Sequence, residues 1–170
     1  MAAQDFLALV NGVPSVKSSV QVGGAGNANQ IPSLNGSGVF DASMMPAGLG
    51  IDTIVVPTSE NLAAGAFVNL YSNAGTLTGR NADASTTGKE AVGFVLAATT
   101  SPASATVYMR GSNTAVTGLT VGTQYWLSTT TPGGTQVAAA SYTAGQMCQY
   151  LGRATSATAI DFTFSGFINT

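Results

Sequence analysis

The stretch VQVGGAGNAN, residues 20–29, is where residue type and spacing first suggest chemistry. An apolar alternation followed by a glycine-rich loop is how many strands lead into a phosphate-binding turn. A dinucleotide fingerprint would need a third glycine or alanine where Asn29 stands, and a helix directly afterwards. Pro32 and two more glycines interrupt that helix, and no Gly-Lys-Ser/Thr follows. We therefore interpret the stretch as a flexible hinge that contacts protein subunits, and we expect no cofactor there.

Residues that could carry catalysis are scarce. The chain has no histidine, which removes Ser-His-Asp chemistry, Cys-His chemistry and the commonest metal ligand. The single cysteine, Cys148, cannot form an internal disulfide, which is typical of synthesis in a reducing cytosol. It lies in an apolar stretch, so we expect a buried, inert thiol.

The acidic residues are scattered, and none forms a tight pair along the sequence. We expect no enzyme and no metal site. Two alternatives stay open, because folding could bring two carboxylates together as in a glycan hydrolase, and Asp41 or Asp52 could bind calcium with turn carbonyls. The acids considered are Asp41, Asp52, Glu60, Asp83, Glu90 and Asp161.

The composition indicates a protein that works in an assembly. Charged residues make up 7% of the 170 residues and hydrophobic residues 45%, against roughly 25% charged residues in ordinary globular proteins. So few charges protect a free monomer poorly against association. The bases never cluster, so we expect no nucleic-acid partner. We also expect no membrane span and no signal peptide, since no apolar run reaches about 18 residues and Asp5 stands where a basic region would be needed.

The chain divides near residue 50 into two regions of different sequence character, and these must provide the elements that position any site. Residues 1–50 contain short apolar runs between glycine-bearing turns and bury too little to stand alone. They predict an extended N-terminal arm and linker, in which the first apolar run, QDFLALVNGV, could be a strand or a short helix. Residues 51–170 read as a β-domain.

Seven short apolar runs separated by Gly, Pro, Asn and Ser-Thr turns predict an all-β fold, a single compact β-sandwich or barrel. The runs are IDTIVV, AFVNLY, AVGFVLAA, ATVYMRG, TQYWLS, MCQYLGRA and AIDFTFSGFI. Tyr125 and Trp126 are neighbours, so they must face opposite sides of their strand. We expect one of them in the core and the other at a subunit contact.

The β-domain also shows a weak internal repeat. LAAGAFVNL at 62–70 is similar to LTVGTQYWL at 119–127, and Gly65 and Gly122 are 57 residues apart, as are Gly88 and Gly145. This spacing predicts two similar β halves packed as one pseudo-symmetric body. The alternative is that any meander of short strands looks self-similar.

The segment IPSLNGSGVFDASMMPAGLGIDT resembles a linker of tailed-bacteriophage structural proteins, the capsid decoration (cement) and head-fibre family. The matching residues are Ile31, Leu34, Gly38, Phe40, Asp41, Ser43, Met44, Pro46, Gly48, Leu49 and Gly50. Later segments, among them SENLAAGAFVNLY and GLTVGTQYWLSTTTPGG, also resemble the β module that accompanies this linker. The resemblance covers the chain from about residue 15 to its end.

This resemblance implies a structural virion protein on the capsid surface, made in the host bacterial cytoplasm. Its partners would be the major capsid protein and further copies of itself, as a homotrimer. The alternative is a head-fibre, spike or tail-fibre adaptor involved in host attachment. The residues we expect at subunit or capsid contacts are Phe6, Leu7, Val16, Val20, Val22, Ile31, Phe40, Met44, Met45 and Trp126.

Overall fold

The structure is a computed structural model that describes residues 5–23, 30–41, 44–45, 52–137 and 142–169. The chain forms two compact units, residues 1–50 and residues 51–170, and each is described by itself. Within the described ranges there is no α-helix, and the regular structure is antiparallel β-sheet. The predicted all-β fold is confirmed.

The first unit begins with a β-hairpin. Strand β1 (Asp5–Val10) pairs antiparallel with β2 (Val13–Ser18), so that Leu7 lies opposite Val16. The turn residues Asn11 and Gly12 both have positive φ, 52° and 81°, as the tight type I′ turn requires. The predicted extended arm is therefore not confirmed, because residues 5–18 fold back on themselves. The Asn-Gly pair between two apolar runs is a hairpin signal that our interpretation of the sequence overlooked.

In the ranges that the structure describes, the second unit contains eleven strands. They are β3 (Thr53–Pro57), β4 (Phe67–Asn73), β5 (Thr76–Asn81), β6 (Gly93–Phe94), β7 (Ser104–Tyr108), β8 (Gly111–Asn113), β9 (Gln124–Leu127), β10 (Thr135–Gln136), β11 (Met147–Ser156), β12 (Ala159–Phe162) and β13 (Phe167–Asn169). Strands β5 and β10 lie outside the seven predicted runs, and β8 shares only Gly111 with them. The hairpin β4–β5 turns at Ala74 and Gly75, again with positive φ at both residues.

The two halves of this unit have the same topology. The first sheet has the order β3-β7-β6-β4-β5, and the second has the order β8-β12-β11-β9-β10, with β13 paired to β11. Each strand of the first half therefore has a counterpart five strands later, in the same position of an antiparallel sheet. This is the arrangement expected from the predicted internal repeat.

Backbone hydrogen bonds repeat as well. Gly65 N–H donates to Val95 O and Gly122 N–H donates to Ala154 O, both at 2.9 Å. Three residues earlier in each half, Leu62 N–H donates to Thr99 O at 2.9 Å, and its counterpart Leu119 N–H donates to Ala157 O at 3.1 Å. The repeat is thus visible at the level of single turns.

The first sheet curls so that its edge strands β3 and β5 meet. Ser59 N–H donates to Gly79 O at 3.0 Å, and a Cβ atom on Gly79 would lie 3.3 Å from Val56. A first core fills the inside of this curl, with Leu62, Val68, Val95 and Val107 buried there.

A second core is formed by residues of both sheets. Phe67 and Phe94 of the first sheet pack with Phe162 of the second, with ring centroids 5.4 and 5.9 Å from Phe162. Leu127, Met147, Leu151 and Ile160 of the second sheet complete it. The unit is therefore a compact body in which two β halves share one apolar layer, consistent with a β-sandwich.

Hydrogen bonds also join the halves directly. The buried side chain of Gln149 accepts from Ala91 N–H at 2.7 Å and donates through Nε2 to Ala91 O at 2.8 Å. Backbone bonds add to this, since Phe67 N–H donates to Gly133 O at 2.9 Å and Met147 N–H donates to Ala84 O at 2.9 Å. Because buried polar groups need partners, these bonds fix one arrangement of the halves.

Candidate interaction surface

The hairpin exposes one apolar face. Successive side chains of a strand point to opposite sides, so Leu7 and Leu9 of β1 share a face with Pro14 and Val16 of β2. The exposed fractions of Leu7, Leu9 and Val16 are 72%, 74% and 68%. No charged side chain interrupts these four residues, and only Asp5 lies at the end of the same face, where it accepts a 2.6 Å hydrogen bond from Ser18 Oγ. We call Leu7, Leu9, Pro14 and Val16 the hairpin face.

The opposite side of the hairpin is partly covered. Phe6 and Ala8 are half-buried there. They line a groove of about 680 Å³ together with Lys17, Gln30 and Ile31, and Leu9 of the hairpin face also borders this groove. Of the contact residues predicted in β1 and β2, Leu7 and Val16 are thus exposed together, whereas Phe6 lies on the other side.

The glycine stretch falls largely outside the described residues, which resume at Gln30. Its flanks are bonded to each other, because Val20 N–H donates to Ile31 O at 3.0 Å and Ser33 N–H donates to Val20 O at 2.7 Å. The predicted hinge lies mainly in residues 24–29, outside the described residues, and stays a prediction; the two segments that flank it lie side by side.

The remaining predicted contact residues of the first unit lie in irregular segments. Val20 and Met44 are half-buried, and the exposed ones are Val22, Ile31, Phe40 and Met45. Phe40 follows a turn in which the Asn35 side chain accepts hydrogen bonds from Ser37 N–H at 2.9 Å and Val39 N–H at 3.3 Å. The described part of this unit therefore presents several large apolar side chains to solvent besides the hairpin face.

Trp126 belongs to the second unit, in β9. Its neighbour Tyr125 is the core residue, buried and accepting a 2.9 Å hydrogen bond from Thr120 N–H. Trp126 is half-buried on the other face and packs edge-on against Tyr150, with ring centroids 5.8 Å apart. The predicted division of the two residues between core and outer face is confirmed, but whether Trp126 meets another subunit stays a prediction.

The carboxylates engage separate partners. Asp52 pairs with Arg110 at 2.9 Å, with both side chains more than half exposed. Glu60 accepts from Asn81 Nδ2 at 2.9 Å, and Asp83 accepts from Ser85 N–H at 2.8 Å. In the ranges that the structure describes, no three His, Cys, Asp or Glu side chains come together.

Cys148 is half-buried in β11 rather than fully buried. Burial raises the pKa of its thiol above the usual value, so the reactive thiolate is scarce near neutral pH. Nearby, burial and the Cys148 charge raise the pKa of the Tyr142 hydroxyl, which donates to Leu127 O at 2.6 Å.

Leu9 and Pro14 of the hairpin face were not among the predicted contact residues. The Asn11-Gly12 turn would have found them, because it sets the register that places Leu9 opposite Pro14. The described residues include no helix that is long and apolar enough to cross a membrane. Protein-family models, curated proteins and solved structures were all compared with this chain, and none matches it.

Proposed function

We propose that this chain is a structural virion protein, a decoration protein that binds the outer surface of a phage head and stabilises the capsid lattice. The exposed hairpin face carries this proposal. Contiguous exposed apolar surface of this kind marks a binding site for a partner. The resemblance of residues 15–170 to phage decoration and head-fibre proteins supplies the class of partner, the major capsid protein.

The second unit suits the same role. Its two halves share a core and cross-linking hydrogen bonds, so it can act as a rigid spacer on a shell. Its partners would include further copies of the chain. Many copies on one lattice would reinforce weak single contacts, because each added contact becomes intramolecular.

A matched pair of valine variants tests the proposal. Val16 on the hairpin face and Val121 in the second unit are 68% and 64% exposed. Burying a Val side chain is worth about 1.5–3 kcal/mol, and 1.4 kcal/mol corresponds to about tenfold in affinity. We expect Val16→Asp to weaken binding to expanded empty heads by about tenfold or more, and Val121→Asp to leave it unchanged, as measured by co-sedimentation.

Two results would contradict this function. One is wild-type protein that fails to sediment with expanded heads. The other is a chain lacking residues 1–50 that binds them as well as the full chain does. Binding to isolated fibres or tails, without binding to heads, would instead favour the fibre or adaptor alternative.

A further inference from the structure

We propose that the outer edge of β1 pairs with β1 of a second copy of this chain, antiparallel and centred on Leu7. The proposal concerns self-association of the purified protein. It goes beyond the decoration role and does not depend on it, and it predicts an even-numbered assembly where the sequence resemblance implies a homotrimer.

The register of the hairpin determines which backbone groups point outward. In a two-residue hairpin the pair that flanks the turn, Val10 and Val13, is hydrogen-bonded. Hydrogen-bonded and non-hydrogen-bonded pairs alternate along an antiparallel ladder. Leu9–Pro14, Leu7–Val16 and Asp5–Ser18 are therefore non-hydrogen-bonded pairs, and their N–H and C=O groups point away from the hairpin.

The two edges of the hairpin differ in the backbone groups that are available to pair with another strand. On β2, one outward position is Pro14, which has no N–H, and Lys17 adds a charge. Proline and lysine are the residues that natural proteins use to block edge strands. On β1, Asp5, Leu7 and Leu9 all carry an outward N–H and C=O, and no described strand other than β2 pairs with β1. Of the two hairpin edges, only the β1 edge is open to strand addition along its length among the residues that the structure describes.

A second β1 fits this edge well. Antiparallel pairing centred on Leu7 places Leu7 opposite Leu7 and Asp5 opposite Leu9, which are the residues with outward backbone groups. On the other face Phe6 lies opposite Ala8, a large side chain beside a small one. Asp5 is the only charged residue of β1, and it lies opposite uncharged Leu9, so the pairing brings no like charges together. The hairpin faces of the two copies would become one surface.

The need for a partner supports the same conclusion. A two-stranded hairpin is marginally stable in water, and three or more strands with an apolar face are needed for independent stability. Pairing of two β1 edges would give a four-stranded sheet in the order β2-β1-β1-β2, whose outer edges are the blocked β2 strands. Such a sheet would stop growing after two copies.

Proline substitutions at one cross-strand pair provide the test. Leu7 and Val16 lie opposite each other, and neither N–H takes part in a hydrogen bond within the hairpin. Proline at either position therefore removes one outward-pointing N–H and no hydrogen bond of the hairpin. We expect the wild-type assembly to have an even number of chains, Leu7→Pro to halve its mass, and Val16→Pro to leave it unchanged, as measured by sedimentation over a concentration series. An odd-numbered or single-chain wild type, or an unchanged mass for Leu7→Pro, would overturn the proposal.

Cross-linking checks the register without proline. In a Cys148→Ser background, Leu7→Cys would place two thiols on residues with Cα atoms about 5.5 Å apart, whereas two Val16→Cys positions would be about 14 Å apart, three strand spacings. A one-carbon thiol cross-linker should join Leu7→Cys chains into dimers and leave Val16→Cys chains single. Failure at position 7 would also overturn the proposal. Neither experiment involves phage heads, so its result is separate from that of the decoration test.

Discussion

Gly65 and Gly122 occupy equivalent turns of the two β halves, but their surroundings differ. Both have positive φ, 78° and 80°, and both donate to a neighbouring strand. A Cβ atom on Gly65 would overlap the backbone carbonyl of Ala115, whereas a Cβ on Gly122 would meet nothing within 4 Å. A side chain at position 122 would therefore meet only the unfavourable positive φ. A side chain at position 65 would meet the positive φ and a steric overlap as well.

We predict that alanine separates these constraints. Gly122→Ala should lower the free energy of unfolding by about 1–2 kcal/mol, the cost of a left-handed conformation for an L-residue. Gly65→Ala should lower it further, because the backbone of Ala115 and Val116 must also move. Urea unfolding of the two variants measures the difference, and an equal loss in both would contradict the predicted overlap.

At the scale of elements, one side chain of β11 hydrogen-bonds the two β halves to each other. Gln149 satisfies both backbone groups of Ala91, in a site from which water is excluded. The side-chain amide pairs with the Ala91 backbone as the backbone of a neighbouring strand would. The equivalent sheets are thereby linked by hydrogen bonds as well as by the aromatic layer of Phe67, Phe94 and Phe162.

We predict that Gln149→Leu lowers the free energy of unfolding by about 2–6 kcal/mol, because two buried backbone groups lose their partners at roughly 1–3 kcal/mol each. Gln124, exposed in the neighbouring strand β9, provides the control, and Gln124→Leu should change stability by less than about 0.5 kcal/mol. Denaturant unfolding of both variants compares them. Similar losses would mean that the Gln149 bonds contribute little.

At the scale of the whole molecule, the two units differ in how much they bury. The residues described for the two cores all lie between Val56 and Phe162. The described part of residues 1–50 instead exposes many of its large apolar side chains.

We predict that residues 51–170 fold alone and keep the thermal unfolding midpoint of the full chain to within a few degrees, since no core side chain is removed. Residues 1–50 alone should show no cooperative transition, because a lone hairpin is marginally stable. Circular dichroism during heating of the two fragments and the full chain tests both statements. Loss of the cooperative transition from the 51–170 fragment would show that its core depends on the first unit.

Local pattern was enough to predict the all-β class, the repeat and most strands. Period-two alternation and Gly-rich turns act over a few residues, so IDTIVV and TQYWLS became β3 and β9 as expected. The hairpin of residues 5–18 was equally local, and its Asn-Gly turn could have been used. Strand β5 could not be predicted from its own apolar content, because it has one large apolar residue, Leu77, and forms by pairing with β4.

Long-range packing decided the rest. Alternation showed that Tyr125 and Trp126 face opposite ways, but only the second sheet's contact with Phe67 and Phe94 determined which face is buried. The curl of the first sheet, the burial of Gln149 and the open edge of β1 depend on residues far apart in sequence or on strand register. The sequence by itself determined the strands, the turns and the shortage of charge. Only the tertiary structure decided which apolar surfaces cover each other and which, like the hairpin face, remain exposed.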